Sequence, residues 1–169
     1  MPQQGVVWAP PQGGHFKINI DGVFFTKQKV VGVGVVIRDS EGRLVVALSK
    51  KIPAPIGPAK AFEVGLLFAK EVGICDVILE GDSMIVYNTL CKYSPAPSSM
   101  AAMVQGIQDI SGDFRSVGYS HVRRQGNLPA HILAKYASSI TNYVAWIEED
   151  PCCIMQSLVH DINSLSRMQ

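Results

Sequence analysis

The stretch H-F-K-I-N-I-D-G, residues 15–22, decides the fold of this chain. Its apolar residues Phe16, Ile18 and Ile20 alternate with polar ones, a period of two that is typical of a β-strand with one face against a core. The pair Asp21-Gly22 is a turn signal and predicts the end of this strand. The stretch therefore predicts a first strand that carries an acidic side chain to one edge of a sheet.

Two more strands are predicted directly after the first. Residues 30–38 form a β-branched run interrupted by Gly32 and Gly34, and glycines inside a strand indicate that a neighbouring backbone packs closely against it. The sequence D-S-E-G at 39–42 predicts a hairpin turn, and residues 43–49 the returning strand. The first third of the chain is therefore predicted to be an antiparallel meander.

Helices and strands alternate in the remainder of the chain. The predicted elements are a helix at 59–72, a short buried strand at 77–79, a helix from 82 to about 90, a helix at 100–110, a strand at 114–122 and a helix at 127–140. Strands 1, 4 and 5 are expected to be parallel because each crossover between them passes through a helix. The order β-β-β-α-β-α-α-β-α predicts an α/β fold with a mixed sheet covered by helices, and a site at the carboxyl ends of the parallel strands.

The composition excludes several classes of protein. Of the 169 residues 47% are apolar, too many for a disordered chain, and the formal net charge of +1 excludes a general basic coat that grips nucleic acid. The longest apolar run, residues 30–37, is far shorter than the roughly 20 residues that a membrane-spanning helix needs, so no membrane association is expected. The four cysteines lack the spacing of a zinc site or a disulfide framework, which indicates an intracellular, reducing compartment, the nucleus or the cytoplasm.

Three segments differ in character along the chain. Residues 1–14 are rich in Pro, Gly and Gln and are expected to be an arm or linker. Residues 15–141 hold the predicted α/β domain. Residues 142–169 are expected to be a C-terminal helical extension, because apolar residues from Ile154 to Leu165 recur at helical spacing.

Three acidic residues fall on successive elements near the expected site. Asp21 follows strand 1, Asp82 follows strand 4, and Glu63 lies in the first helix. Taken singly, they have ordinary explanations as a turn former, a helix cap and a solvated helix position. If strands 1 and 4 are neighbours, the three carboxylates repel one another unless a cation intervenes, and hard oxygen ligands suit Mg²⁺ or Mn²⁺.

Five segments of the chain match a known family in order and in predicted structure. They are W-A-P-P-Q-G-G-H-F-K-I-N-I-D-G at 8–22, G-V-G-V-V-I-R-D-S-E-G-R-L at 32–44, A-F-E-V-G-L-L-F-A at 61–69, I-L-E-G-D-S at 78–83 and H-V-R-R-Q-G-N-L-P-A-H-I-L-A at 121–134. Together they resemble the ribonuclease H family, specifically the plant group of reverse-transcriptase-associated RNase H-like domains. The resemblance implies an RNase H-like fold with a mixed five-stranded sheet in the order 3-2-1-4-5, strand 2 antiparallel, and helices on both faces.

The resemblance also implies a metal-dependent endoribonuclease that hydrolyses the RNA strand of RNA–DNA hybrids with two Mg²⁺ or Mn²⁺ ions. Asp21, Glu63 and Asp82 match the first three of the family's four acidic ligands, and His131 takes the fourth position, an Asp in the family's N-x-x-A-D motif. Histidine is a poor ligand for Mg²⁺ but can bind Mn²⁺. The resemblance thus assigns these four residues as catalytic and metal-binding.

Contacts with the hybrid are expected around these ligands, since a hybrid is recognised by shape, phosphates and 2′-hydroxyls. The candidates are Gly22 and Val23 beside the first acid, Asn88 on the helix after Asp82, Arg123 and Arg124 in the loop before the last helix, and Asn127 where that helix starts. The resemblance also implies that Arg124 takes the role of a loop histidine that many RNases H use in product turnover. An ordinary solvated side chain is the alternative for the charged and polar candidates.

Two other functions stay open at this point. A domain that has kept the fold and lost turnover would act as a nucleic-acid-binding or interaction module, and His131 and the near-zero net charge favour it. An integrase or transposase would need a late glutamate, but Glu148 and Glu149 fall beyond the last predicted core helix. The arm would suit a linker from an upstream reverse-transcriptase-like domain, and the C-terminal extension offers a surface for a protein partner.

Overall fold

The computed structural model describes residues 7–54, 57 and 59–168, so the first six residues of the expected arm lie outside the described residues. The strands in these ranges are β1 (Phe16–Phe25), β2 (Val30–Arg38), β3 (Leu44–Pro53), β4 (Asp76–Gly81), β5 (Ser116–His121) and β6 (Tyr143–Ile147). The α-helices are α1 (Lys60–Glu71), α2 (Met84–Leu90), α3 (Ala101–Ser111), α4 (Leu128–Tyr136) and α5 (Met155–Met168). None of the helices described is long and apolar enough to cross a membrane.

The strands form one mixed sheet in the order β5-β4-β1-β2-β3-β6. β4 is parallel to both β1 and β5, whereas β2 is antiparallel to its neighbours β1 and β3. The mixed α/β fold and the order of the first five strands are therefore confirmed.

The sixth strand corrects the prediction of a five-stranded sheet and lies within the segment 142–169, which was predicted as a helical extension. β6 pairs antiparallel with β3, from Val46 opposite Ile147 to Lys50 opposite Tyr143. Its side chains alternate, with Val144 and Trp146 partly buried and Tyr143 and Ile147 exposed. This period of two covers only five residues, and the helical spacing that dominated the prediction begins after them, where α5 lies.

Helices cover both faces of the sheet, as predicted. On one face the odd-numbered residues Val31 to Ile37 of β2 pack with α1 and α3 in the larger core. On the opposite face Val36 and Ala47 pack with α4 and with Ile154, just before α5. The sheet is thus the middle of three layers, with α4 over the central strands β1 and β2 on the second face.

Helix α4 lies directly on the backbone of β2. A Cβ at Gly32 would overlap the carbonyl oxygen of Ala134, and a Cβ at Gly34 would overlap the carbonyl oxygen of Ala130. The glycines interleaved in β2 therefore mark a close backbone approach, as the sequence indicated, and they fix the height of α4 above the sheet.

A buried ion pair attaches the C-terminal helix to the same face. The Arg38 guanidinium is fully buried, and its Nη1 lies 2.7 Å from Oδ2 of Asp161 on α5. Trp8 stacks on this guanidinium with its ring centroid 3.8 Å away, and its indole nitrogen donates to the Asn19 side chain at 2.9 Å. Residues from the expected arm and extension thus pack on the sheet, and the division at residues 15 and 141 stays a prediction.

Replacing Gly34 by Ala should destabilise the fold, because the new methyl group would force α4 away from β2. We expect a loss of about 1–3 kcal/mol in the free energy of unfolding, the usual cost of overpacking a core. Urea denaturation followed by circular dichroism measures this value. Gly13→Ala is the matched control, since a Cβ there meets nothing within 4 Å; equal stability of the two variants would contradict the close approach.

Replacing Asp161 by Asn should also destabilise the fold, because it leaves the charge of Arg38 buried without its partner. Removing one partner of a buried ion pair costs about 3–5 kcal/mol. The same urea experiment tests this value, with the exposed Asp150→Asn as control. A loss no larger than that of the control would show that the pair does not hold α5.

Candidate functional site

Two carboxylates meet where β1 and β4 separate. β1 pairs with β4 only as far as Asn19 opposite Glu80, and then continues along β2 to Phe25. Asp21 therefore lies within β1, not at its end as predicted, at the point where the pairing with β4 stops. Asp82 follows the last residue of β4, and both acids line one cavity of about 390 Å³.

The local sequence leaves the Asp82 carboxylate available to this cavity. Ser83, not Asp82, caps α2: its hydroxyl accepts a hydrogen bond from the backbone N–H of Val86 at 3.3 Å. Asp82 thus follows the strand without being used as the helix cap, and it lines the same cavity as Asp21.

Helix α4 places His131 against Asp21. Nδ1 of His131 lies 2.6 Å from Oδ2 of Asp21, and the Asp21 side chain is buried. Burial raises the pKa of Asp21 above its usual value, and the charge of Asp82 adds to this rise. The hydrogen bond from His131 and the charge of Arg124 act in the opposite direction.

Arg124 is the cation of the site. It lies in a short 3₁₀ turn, Arg124–Asn127, that leads into α4. Its Nε donates to Oδ2 of Asp82, and its Nη1 lies 3.3 Å from Nε2 of His131. The contact with Asp82 raises the pKa of Arg124. Asp82, Arg124, His131 and Asp21 therefore form a continuous chain of contacts across the mouth of the cavity.

Glu63 does not join these residues. Its carboxylate is ion-paired with Lys60 on the same helix and packs on α3, where a Cβ at Gly106 would lie 2.6 Å from it. Ala59 and Phe62 are the residues of this helix region that line the cavity. Glu63 itself is not among the residues that line the cavity. This placement corrects the expectation that α1 lays Glu63 over Asp21 and Asp82.

The donors that remain are chemically suited to a divalent ion but do not form a metal site in the described part of the chain. Two carboxylates and an imidazole nitrogen suit Mn²⁺, and the guanidinium of Arg124 shows that a cation is favourable beside them. The third carboxylate that a two-ion site would need is absent from this cluster. Across the described residues no three His, Cys, Asp or Glu side chains converge closely enough to hold an ion, and Arg124 lies between the donors.

The expected hybrid contacts are placed unequally. Gly22 lines the cavity beside Asp21, and Val23 is half-buried one residue further along β1. Asn88 is half-buried on α2, and Arg123 is exposed next to Arg124. Of these four residues, Gly22 is the one that lines the cavity.

Asn127 is a correction to the expected contacts. It is fully buried: its Nδ2 donates to the carbonyl oxygen of Ile20 at 2.9 Å, and its Oδ1 accepts from Nδ2 of Asn19 at 3.1 Å. Both ends of the amide are used inside the protein, so Asn127 positions the start of α4 instead of meeting a ligand.

Sequence reasoning missed the buried polar residues behind the site. Nζ of Lys17 lies 3.2 Å from Oε2 of Glu80, and Nδ2 of Asn19 donates to Oε1 of Glu80 at 2.9 Å. The alternation of residues 15–22 places Lys17 and Asn19 on the same face of β1 as Asp21, which was the available signal. A polar face is normally solvated, and only the fold reveals that α4 and Trp8 cover it.

Comparisons with known proteins agree on one fold. The model of a family described as "Reverse transcriptase-like" matches residues 19–137. RNase H1 of the halophilic archaeon Halobacterium salinarum is similar in structure, with 21% identity, a TM-score of 0.67, and coverage of 74% of this chain and 98% of that one. No curated protein matches the sequence.

Two further solved structures share the fold. The N-terminal RNase H domain of a Mycobacterium tuberculosis protein has 19% identity and a TM-score of 0.65, covering 74% of this chain and 94% of that one. A compost-derived RNase H1 solved in complex with an RNA/DNA hybrid has 20% identity and a TM-score of 0.64, covering 72% of this chain and 95% of that one. These likenesses establish an RNase H-like fold.

Replacing Asp82 by Asn should lower the pKa of Asp21. The negative charge of Asp82 raises the pKa of Asp21, and the neutral amide that replaces it would no longer do so. Carboxyl-carbon NMR during a pH titration measures the change. Asp109→Asn, an exposed residue of α3, is the control; an unchanged or higher pKa of Asp21 in Asp82→Asn would show that the two acids do not interact.

Proposed function

The chain belongs to the Reverse transcriptase-like family, and on that premise we propose that it is an RNase H-type ribonuclease that cleaves the RNA strand of RNA–DNA hybrids with a divalent metal ion. One observation carries the proposal: Asp21 and Asp82, from neighbouring parallel strands, line the same open cavity, and His131 contacts Asp21. The fold shared with RNase H1 structures supports it.

The electrostatics of the cavity favour a positive charge, and Arg124 supplies one beside Asp82. Two carboxylates held close together, one of them buried, are costly unless a positive charge compensates them. Asp21, Asp82 and His131 are the donors that an ion would need, and the imidazole would favour Mn²⁺ over Mg²⁺. They do not converge in this structure, because Arg124 lies between them. Such an ion supplies a Lewis acid that activates water at neutral pH and stabilises the leaving oxygen.

The residues around the cavity would bind and orient the hybrid. The Gly22 and Val23 backbone lies beside Asp21, within the cavity or next to it, where a 2′-hydroxyl of RNA would be recognised. The exposed Arg123 and Arg124 offer charge to phosphates, and Asn88 on α2 offers an amide. The near-neutral chain thus depends on a local patch of charge to hold a polyanion.

The second ion of the expected two-ion mechanism is not part of this proposal. Glu63 packs on α3 and is paired with Lys60, which leaves the cavity one carboxylate short. An upstream reverse-transcriptase-like domain, a partner on the C-terminal segment and an intracellular location likewise remain predictions from the sequence.

A hybrid-binding module without turnover is the second candidate. The pairing of Glu63 with Lys60, outside the cavity, favours this function. Arg124 favours it too, because its guanidinium already compensates the charge of Asp82. A module of this kind would hold the hybrid through phosphate contacts that need no metal.

Cleavage of a labelled RNA–DNA hybrid, in Mg²⁺ and separately in Mn²⁺, tests the proposal. We expect cutting of the RNA strand, faster in Mn²⁺ because of His131, and a loss of at least about 100-fold in Asp21→Asn, which removes a charged ligand of the ion.

Hybrid binding by the same proteins is measured in parallel by fluorescence anisotropy. Asp109→Asn controls for the loss of an acid far from the cavity. Binding without cutting in either metal would replace the ribonuclease by the binding module, and cutting that persists in Asp21→Asn would exclude this site as its source.

A further inference from the structure

We infer that the outer edge of β6 is a docking surface for a second copy of this chain, and that the two β6 strands pair antiparallel about a twofold axis at Ala145. The inference does not depend on the proposed function. It rests on the backbone groups, the side chains and the charges that β6 and its surroundings present at the end of the sheet.

β6 presents backbone hydrogen-bonding groups at the end of the sheet. It is the last strand in the sheet order, and within the described residues only β3 pairs with it. The backbone N–H of Lys51 donates to the carbonyl oxygen of Asn142, and that of Glu148 bonds to β3 as well. Even-numbered residues of β6 therefore face β3, and because this direction alternates along a strand, the N–H and C=O groups of the odd-numbered residues point outward. These residues are Tyr143, Ala145 and Ile147.

A symmetric register uses all of these outward groups. In an antiparallel pair centred on Ala145, this residue lies opposite its own copy, and Tyr143 lies opposite Ile147 on either side. Odd-numbered residues then meet odd-numbered residues, so each opposed pair can exchange both of its N–H to C=O hydrogen bonds. A shift by one residue would set outward groups against groups that are already bonded to β3. The backbone of β6 is therefore complementary to itself in this register.

The side chains of β6 also suit a copy of the same strand. Its sequence, Y-V-A-W-I, contains no charged residue and no proline, which are common devices against pairing at a sheet edge. Tyr143 and Ile147 are 59% and 63% exposed and lie on one face of the strand with Ala145. In the symmetric register each exposed tyrosine ring lies opposite an exposed isoleucine, and pairs of aromatic and β-branched residues stabilise antiparallel strands.

The two ends of β6 carry opposite charges. Lys50 and Lys51 of β3 lie beside its start. Glu148 and Glu149 follow its end, and within the described residues none of these four side chains is in an ion pair. An antiparallel copy brings the acidic end of each strand to the basic end of the other. A parallel copy would bring like charges together, so charge complementarity selects the antiparallel arrangement.

Lys51 and Glu148 are the closest of these charges across the paired strands. In the symmetric register Glu148 of one copy lies opposite Asn142 of the other, and Lys51 is on the next strand. Their backbones are then two strand spacings apart, roughly 10 Å, which two long side chains can span. Within one copy about six residues of extended strand, roughly 20 Å, separate the two charges. The twofold axis produces this contact twice.

The proposed dimer is weak and leaves the candidate site open. β6 has five residues, far fewer than the about 20–30 residues a side of a standard interface. The cavity of Asp21 and Asp82 lies at β1 and β4, which β2 and β3 separate from β6. Because the twofold axis reverses every strand, the two cavities lie at opposite ends of the joined sheets. Pairing through β6 can therefore fail without any effect on the proposed ribonuclease, and the reverse also holds.

Sedimentation velocity of the full chain at increasing concentration tests the inference. The wild type should change from monomer to dimer between about 10 and 500 μM, as expected of a small interface. Ala145→Pro should weaken the dimer at least about tenfold, because it removes the central outward N–H but no hydrogen bond to β3. Circular dichroism verifies that each variant is folded.

An exchange of charges tests the antiparallel register independently of the proline. Lys51→Glu should weaken the dimer about tenfold, because two attractive contacts become repulsive, and adding Glu148→Lys to the same chain should restore it. Lys27→Glu, at an exposed position in the turn between β1 and β2, is the matched control and should dimerise as the wild type does.

Three results would overturn the inference. The first is a wild type that stays monomeric up to about 500 μM, beyond the range of a weak specific interface. The second is a dimer that folded Ala145→Pro leaves unchanged, which would place the contact on another surface. The third is a double charge variant that dimerises no better than Lys51→Glu, which would exclude the antiparallel register.

Discussion

The close packing of α4 on β2 is the constraint on which the site depends. Gly32 and Gly34 let the helix backbone approach the strand where any side chain would overlap the carbonyl oxygens of Ala130 and Ala134. This contact sets the height of α4, and the buried amide of Asn127 fixes the point where it begins. His131, one residue after Ala130, then reaches the neighbouring strand β1 and meets Asp21. A helix held only slightly higher would leave the buried Asp21 carboxylate without its partner.

The site is the open end of a polar layer that runs beneath α4 and α5. Lys17 pairs with Glu80, Arg38 pairs with Asp161, and Asn19 lies between the two pairs. Each buried charge in this layer has an opposite charge beside it, as burial requires. Asp21 and Asp82 continue the pattern at the sheet edge, where their compensating cation, Arg124, is exposed. Exposure to solvent therefore distinguishes the pair Arg124–Asp82 from the buried structural pair Arg38–Asp161.

The strands and helices of the core could be predicted from the sequence because long, local patterns of residues mark them. The alternation of residues 15–22, the glycine-interrupted run of β2 and the helix–strand alternation after it each predicted an element. The crossovers predicted which strands are parallel, and the family resemblance implied the order of the five strands. β6 was missed because five alternating residues are a weak signal beside a longer helical pattern. Its place beside β3 depends on pairing between distant residues, which one sequence does not display.

The candidate site was harder to predict, for a geometrical reason. Asp21 and Asp82 are on strands, where side chains point alternately to two faces, so their side of the sheet follows from counting. Glu63 is on a helix, where each residue turns the side chain by about 100°, and its direction depends on where α1 begins. The burial of Asn127 could not be predicted for a similar reason. An amide at the start of a helix is exposed in one fold and enclosed in another, and here it is enclosed. The acidic residues are read directly from the sequence, but the rotation of α1 about its axis determines whether Glu63 lies with the other two acids.

The pairing of Arg38 with Asp161 relates folding to the order of synthesis. The meander β1–β3 leaves the ribosome early and contains the arginine, but the aspartate that compensates it is translated more than a hundred residues later. Before α5 has been made, Asp161 is not there to compensate the Arg38 guanidinium. Burying this charge beneath Trp8 alone would be costly. The nascent chain can form its local strands as they appear, yet the second face of the sheet closes only when the last helix has been made. Enclosure of the Arg38 guanidinium therefore has to wait for the C-terminal helix.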